Sequence, residues 1–410
     1  MREEQLCEST SALLALEPEQ AFSLSRLGAQ LASRRAWWGA SRGEDDRDER
    51  SVIRVEAAAD GRFRVTVHNM IGAIALDGVN IRILPKIPLC HFLHIVLGAG
   101  IQPRAGGVAQ LEPDESLAEL VARWFIADAE VLVRRGLRSE YAERSEELTA
   151  VRGQVQLLET AMLIQQGRPV AVCRFDELAP DSPLNRLVKA AAREIAMSAQ
   201  FSAHIRHRAR LIRRRMDGVG DETPSDFQVA IDCLARHYAT VVPLAKLVLL
   251  GLGIGIQFGD TAGRTFLLRT PELIEGGIRR MIAGALPGVQ VEAGRLMLGR
   301  TGLSLNPDLV FDRGRAVGDV KYKLLSRSWN RADLYQALAF ATAYRTRHAL
   351  TVGFHNLDVP RPSELVVGDV ACRVVAWDAR NEVQPKAAQA EFERDLRRWR
   401  SERFGADDAT

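Results

Sequence analysis

Apolar residues recur along this 410-residue chain with rhythms that change twice. Near the start, "EPEQAFSLSRLGAQLASRR" has helical spacing. After a polar loop at Gly39–Ser51, "VIRVEAAADGRFRVTVHNMIGAIALDGVNIRILPKI" breaks into short alternating runs, with Asp60-Gly61 and Asp77-Gly78 placed as hairpin turns. Residues 1–112 therefore read as an α+β region. Across 113–262 the spacing becomes mostly helical. Ser116–Gly136 has a serine N-cap and a glycine terminator; "GQVQLLETAMLIQQ", "FDELAPDSPLNRLVKAAAREIAMSAQ", the basic run His204–Met216 and "FQVAIDCLARHYATVV" follow. In 263–410 a helix with Pro271 in its first turn precedes strand candidates at Val289–Glu292, Asp308–Asp312 and Ala316–Tyr322. A helix at Arg331–Arg347, the buried strands "ALTVGF" and "ACRVVAW", and a charged amphipathic helix complete an α/β module. The fold class expected is mixed α/β, in three regions.

Composition narrows the function classes. Hydrophobic residues make up 47% and charged residues 26%, as in soluble globular proteins with sizeable cores. A net charge of +3 is too small to steer nucleic acid by itself, so such a partner needs a local patch. The five cysteines are scattered, odd in number and without a CxxC pair, which fits a reducing cytoplasm and argues against disulfides or a zinc ribbon. The N-terminal residues lack the pattern of a signal peptide. The longest apolar run, Val241–Ile256, is broken by Pro243 and Lys246 and is too short to span a bilayer. No membrane partner is expected.

One stretch carries candidate chemistry: "NPDLVFDRGRAVGDVKYK", Asn306 to Lys323. Two of only six lysines, against 49 arginines, fall here just after an aspartate. Read as a hairpin turning at Arg313-Gly314, it sets Asp308 opposite Asp319 and Asn306 opposite Lys321, with facing Cβ atoms roughly 5 Å apart. Lys321 shares a face with Asp319, while Val320 points to the core. Two ionised carboxylates so close repel unless a cation lies between them. Mg²⁺, hard and oxygen-liganded, suits the pair, with the Val320 carbonyl as a further ligand. Lys321 would then polarise a metal-held water or stabilise a phosphorane-like transition state during phosphodiester hydrolysis. Asp312 is expected to pair with Arg315, and Lys323 to meet substrate phosphate or solvent. The alternative is a solvated hairpin without chemistry.

"PDLVF…GDVKYK" resembles the PD-(D/E)xK nuclease motif, and "DLYQALAF" the downstream Q-x-x-x-Y helix of such nucleases. More specifically, the chain resembles the McrC family, the nuclease subunit of McrBC-type modification-dependent restriction systems. "VNIRILPKIP", "RRGLRSEYAER…LTAVRGQV", "FDELAPDSPLNRLVKAA" and "ELIEGGI" match that family's ordered segments over roughly Asn69–Tyr344. The resemblance implies a C-terminal nuclease domain with a mixed central sheet. Asp308 and Asp319 would bind metal together with Val320, Lys321 would be the catalytic lysine, and Glu275 and Gln336 would support them. It implies Mg²⁺, with Mn²⁺ as a substitute, and DNA, modified in some way, as substrate. It also implies an AAA+ GTPase or ATPase partner of the McrB kind, docked through the N-terminal and middle regions. The chain departs from the pattern at Phe340, where tyrosine is expected (Tyr344 lies one turn on), at "GQV" after Arg152, and at Ile274 before Glu275.

Other candidates read as structural. Cys90, His91 and His94 look like an ordinary helix face. "GLGIGIQFG" follows a helix rather than a strand, so it does not read as a dinucleotide site. Asp176, Glu177, Asp181 and Asn185 look like a capped loop before a helix. Arg206 to Arg215 spread around a helix and could grip phosphate, solvent or a partner. No lysine follows a glycine, so there is no P-loop and no nucleotide is expected to bind this chain. Two alternatives to the nuclease subunit stay open: a non-catalytic adaptor of an AAA+ ring, and a nuclease that needs no motor.

Overall fold

The computed structural model describes residues 2–33, 52–98, 117–232, 234–252, 257–258, 261–262, 265–299, 303–356 and 360–403. The loop expected at Gly39–Ser51, the Ser116 cap and much of the Gly251–Gly259 stretch lie outside them. Contacts divide the chain into two compact units, Met1–Glu112 with Ile256–Thr410, and Pro113–Gly255. The first and third regions read from the sequence are thus parts of one unit, and the middle region is inserted between them.

The alternating runs near the start form β1 (Arg2–Cys7), β2 (Ser11–Leu14), β3 (Ile53–Ala57), β4 (Phe63–Val67), β5 (Met70–Leu76) and β6 (Val79–Leu84). They are joined by α1 (Pro18–Ser33) and followed by α2 (Leu89–Leu97). β4 pairs with β2 and β3 in one sheet, while β6 lies between β1 and β5 in another. β5 is buried along nearly its whole length, which explains a run too apolar for a half-exposed strand.

The inserted unit begins with α3 (Leu117–Arg135). It continues through β7 (Glu140–Leu148), β8 (Gln154–Val155), α4 (Leu157–Gln165), β9 (Ala171–Ala179), α5 (Pro183–Met197), α6 (Ala203–Arg214) and α7 (Val241–Leu252). Helices α3, α5, α6 and α7 pack together, and β9 pairs with both β7 and β8. The mainly helical region therefore also holds a three-stranded sheet.

The last part returns to the first unit. A small pair, β10 (Gln257–Phe258) and β11 (Thr261–Ala262), leads to β12 (Phe266–Arg269), which joins the first sheet beside β5. Then come α8 (Thr270–Ala285), β13 (Val291–Glu292), the short pair β14 (Leu296–Met297) and β15 (Ser304–Leu305), β16 (Leu309–Phe311) and β17 (Ala316–Leu324). α9 (Arg331–Tyr344), β18 (His348–His355), β19 (Leu365–Val367), β20 (Val370–Asp378) and α10 (Pro385–Arg403) complete the chain. The sheet order is β13-β16-β17-β18-β20-β19; β17, β18 and β20 run parallel and the other pairs antiparallel, a mixed sheet. Val317, Ala349 and Cys372 pack under Ala337, Phe340 and Ala341 of α9. On the other face Phe311 meets Trp399 of α10, ring centroids 5.1 Å apart. Phe340, the departure from the tyrosine pattern, is a core residue.

Candidate active site

β16 and β17 form because each supplies apolar side chains to a sheet covered on both faces; Leu309, Val310 and Phe311 are all buried, as are Ala316 to Val320. The ladder pairs Leu309 with Gly318, Val310 with Val317 and Phe311 with Ala316. One step further along the same register sets Asp308 opposite Asp319, as expected from the sequence. The connection differs. It is a four-residue turn, with positive φ at Asp312 (42°), Arg313 (60°) and Gly314 (104°), instead of a two-residue one. Gly314 suits that left-handed step because it has no Cβ. Asp312 is anchored by Gln290, whose N–H donates to its carboxylate over 2.9 Å, so the expected Arg315 pairing is not its defining contact. The ladder ends at Leu309, and Asn306 lies outside it.

Both aspartates are only 5% exposed. The Val320 N–H donates to Asp308 Oδ2 over 2.9 Å, closing the end of the ladder. Arg279 Nε on α8 donates to the Asp308 carbonyl over 2.9 Å. Lys321 Nζ forms an ion pair with Asp319 Oδ2 and donates to Gln336 Oε1 of α9 over 2.5 Å. Asp308, Asp319, Lys321 and Gln336 are thus joined in one cluster. Glu275 lies on α8 one turn before Arg279, half-buried on the helix that braces Asp308. Lys323, expected to meet phosphate or solvent, instead binds Asp333 of α9 at 2.6 Å.

Burial first, and then the charge of Asp308, push the Asp319 carboxyl up to about 7 against the opposing pull of Lys321. The pair is therefore built to hold a proton or a cation between its members near neutral pH. Among the described residues no group of three or more His, Cys, Asp or Glu side chains converges. Two carboxylates with a backbone oxygen suit Mg²⁺, which keeps several waters, and do not suit a closed zinc site. A strand residue's N–H and C=O point to the same edge, so the Val320 carbonyl faces the Asp308 side as well.

Several of the remaining sequence candidates are held in structural bonds. His91 Nδ1 accepts from Trp377 Nε1 over 3.0 Å, and His94 Nε2 lies 2.7 Å from Gln389 Oε1. Asp181 takes a bidentate hold on Arg186 (2.7 and 2.9 Å), and Asn185 Nδ2 donates to the Arg138 and Pro180 carbonyls. Arg208 of the basic helix binds Glu130 over 2.8 Å. Sequence reading missed Arg279; its position one turn after Glu275 was the available signal.

A family model described as "McrBC 5-methylcytosine restriction system component" matches residues 65–351. The chain belongs to the McrBC family. The match includes all the candidate site residues and the whole stretch, roughly Asn69–Tyr344, on which the McrC resemblance rests. No curated protein matches this McrBC-family chain. Among solved structures, a chain of the half-complex of Thermococcus gammatolerans McrB AAA+ hexamers with bound McrC is 19% identical. It covers 97% of this chain and 100% of its own, with a TM-score of 0.58, so the two share a fold. A chain of the Thermococcus gammatolerans McrBC complex is 20% identical over 69% of this chain and 88% of its own, with a TM-score of 0.44.

Proposed function

We propose that this chain is the metal-dependent DNA endonuclease subunit of a McrBC-type restriction complex, of the PD-(D/E)xK kind. The observation that carries the reading is the facing Asp308–Asp319 pair with Lys321 held between Asp319 and Gln336. Asp308 and Asp319, with the Val320 carbonyl, would hold Mg²⁺ or Mn²⁺. Such an ion would supply neutralisation of the paired carboxylates and activation of water for attack on phosphorus. The Lys321 ammonium stabilises the negative charge that gathers on the phosphoryl oxygens, and Gln336 keeps it aimed. Arg279 braces the Asp308 end, and Glu275, one turn before it on α8, would support the site from the same helix.

The substrate is DNA, modified as the family description's 5-methylcytosine suggests. The motor is a separate AAA+ NTPase of the McrB kind, because this chain lacks a P-loop. McrC bound to McrB hexamers in the Thermococcus gammatolerans assembly supports that partnership. No helix among the described residues is long and apolar enough to cross a membrane, and we place the complex in the cytoplasm.

The test is Asp308→Ala, Asp319→Ala and Lys321→Ala, each assembled with the motor subunit. Cleavage is expected to fall by roughly a hundredfold or more while assembly is unchanged. Full cleavage by any of the three overturns the assignment.

A further inference from the structure

β17 loses its partner at the point where it carries the reactive lysine. Val320 pairs with Val352 and Leu324 with Phe354, so four steps along β17 answer two along β18. Lys321, Tyr322 and Lys323 fall in that slip and lack a regular ladder to set their direction. A different element supplies the missing contact. Lys86, just beyond β6, donates from Nζ to the Tyr322 carbonyl over 3.2 Å, and its backbone N–H donates to the Tyr322 hydroxyl over 3.2 Å. The ammonium also lies 4.9 Å from the Tyr322 ring centroid. Tyr322 is further wedged between Phe354 (5.6 Å) and Phe92 (6.5 Å).

Lys86 is itself held. Glu8, 1% exposed at the end of β1, lies 3.9 Å from Lys86 Nζ and accepts from the hydroxyl of Thr270, the first residue of α8. Three of the six lysines in this arginine-rich chain donate to a single main-chain carbonyl: Lys86 to Tyr322, Lys189 to Val219 and Lys246 to Phe227. A compact ammonium suits a lone carbonyl better than a forked guanidinium does. α8, which starts at Thr270, also carries Arg279 to the Asp308 carbonyl. One buried cluster therefore meets the supports of both strands of the site.

We propose that Lys86 is a positioning residue for Lys321: by capping the Tyr322 carbonyl it fixes the slipped segment of β17 and so aims the neighbouring lysine at Asp319 and Gln336. The part of this inference that concerns cleavage rests on the nuclease reading; the part that concerns the segment does not.

The test is Lys86→Met in the full chain, which keeps the aliphatic stem over Tyr322 and the backbone bond to its hydroxyl. Amide hydrogen exchange is expected to quicken by about tenfold or more at Lys321–Leu324 and to stay unchanged at Val317–Val320 and in β18. In complex with the motor, kcat for DNA cleavage is expected to fall about tenfold with KM unchanged. Unaltered exchange at Lys321–Leu324 overturns the proposal. So does an equal rise along all of β17 and β18, because Lys86 would then hold the unit and not the segment. If Lys86→Met strands Glu8 and fails to fold, Glu8→Gln with Lys86→Met carries the same measurement without a lone buried carboxylate. If the unaltered complex cuts no DNA, the nuclease reading falls while the exchange result still decides the positioning role.

Discussion

Asp319 is the residue on which pH acts. Its folded carboxyl titrates near 7, well above its ordinary range, so the fold favours the neutral form. That contribution is fully present below about pH 4 and is lost as pH rises through about 7. Asp319→Asn cannot ionise, and is expected to be more stable than the unaltered chain at pH 8, by up to a few kcal/mol, because each tenfold change in proton affinity is worth about 1.4 kcal/mol. The difference should vanish near pH 4, as urea melts at the two pH values would show. A bound cation must displace the same proton, so apparent Mg²⁺ affinity should rise on the order of tenfold between pH 6 and pH 8. A flat calorimetric profile would remove Asp319 from the ligand set. At this scale the sequence is informative where contacts are local. Strand alternation alone faces Asp308 with Asp319 and turns Lys321 to the same side. It could not reveal that Lys323 is taken by Asp333 or Asp312 by Gln290, because those partners come from other elements.

At the scale of elements, α8 depends on a close approach to α2. A Cβ added at Gly277 would lie 2.3 Å from the Ile95 carbonyl oxygen, whereas one at Gly276 would meet only the far end of the Arg280 side chain, at 3.7 Å. Gly277→Ala should therefore destabilise by about 1–3 kcal/mol through overpacking. It should also weaken cleavage, because α8 carries Arg279 to Asp308. Gly276→Ala, one residue away in the same helix, should be neutral or stabilising by up to about 1 kcal/mol. Equal effects in denaturant titrations would disprove the close-packing account. Most helices of this chain were legible from apolar spacing, α1 and α10 in particular, but the helix read in "FQVAIDCLARHYATVV" is instead broken into short 3-10 turns at Pro224–Gln228 and Arg236–Tyr238 before α7 begins. β7 and β9 were not. They are rich in charge and show little apolar alternation, and cross-strand ion pairs such as Arg174–Glu143 and Arg144–Glu177 link them.

At the scale of the molecule, one unit is made from both halves of the chain and the other from the stretch between. No periodicity signals that β12 will pair with β5 across some 190 residues, so the sequence reads as three successive regions instead. The contiguous unit, 113–255, is expected to fold by itself with a cooperative melt, since α3, α5, α6 and α7 supply its core locally. A fragment of 1–112 alone lacks β12, α8 and the Tyr322 that meets Lys86, and should show no sharp transition. A cooperative melt of 1–112 would contradict the shared core.

That interleaving has a consequence for synthesis. The paired aspartates leave the ribosome before β18 and β20, the strands that complete the sheet beside them, and α10 follows later still. A chain interrupted before about Asp378 carries every charged group of the site but lacks the sheet that buries them. On the proposed nuclease reading, a half-made product should accordingly be harmless to the cell's own DNA, with cleavage expected only from a nearly finished polypeptide.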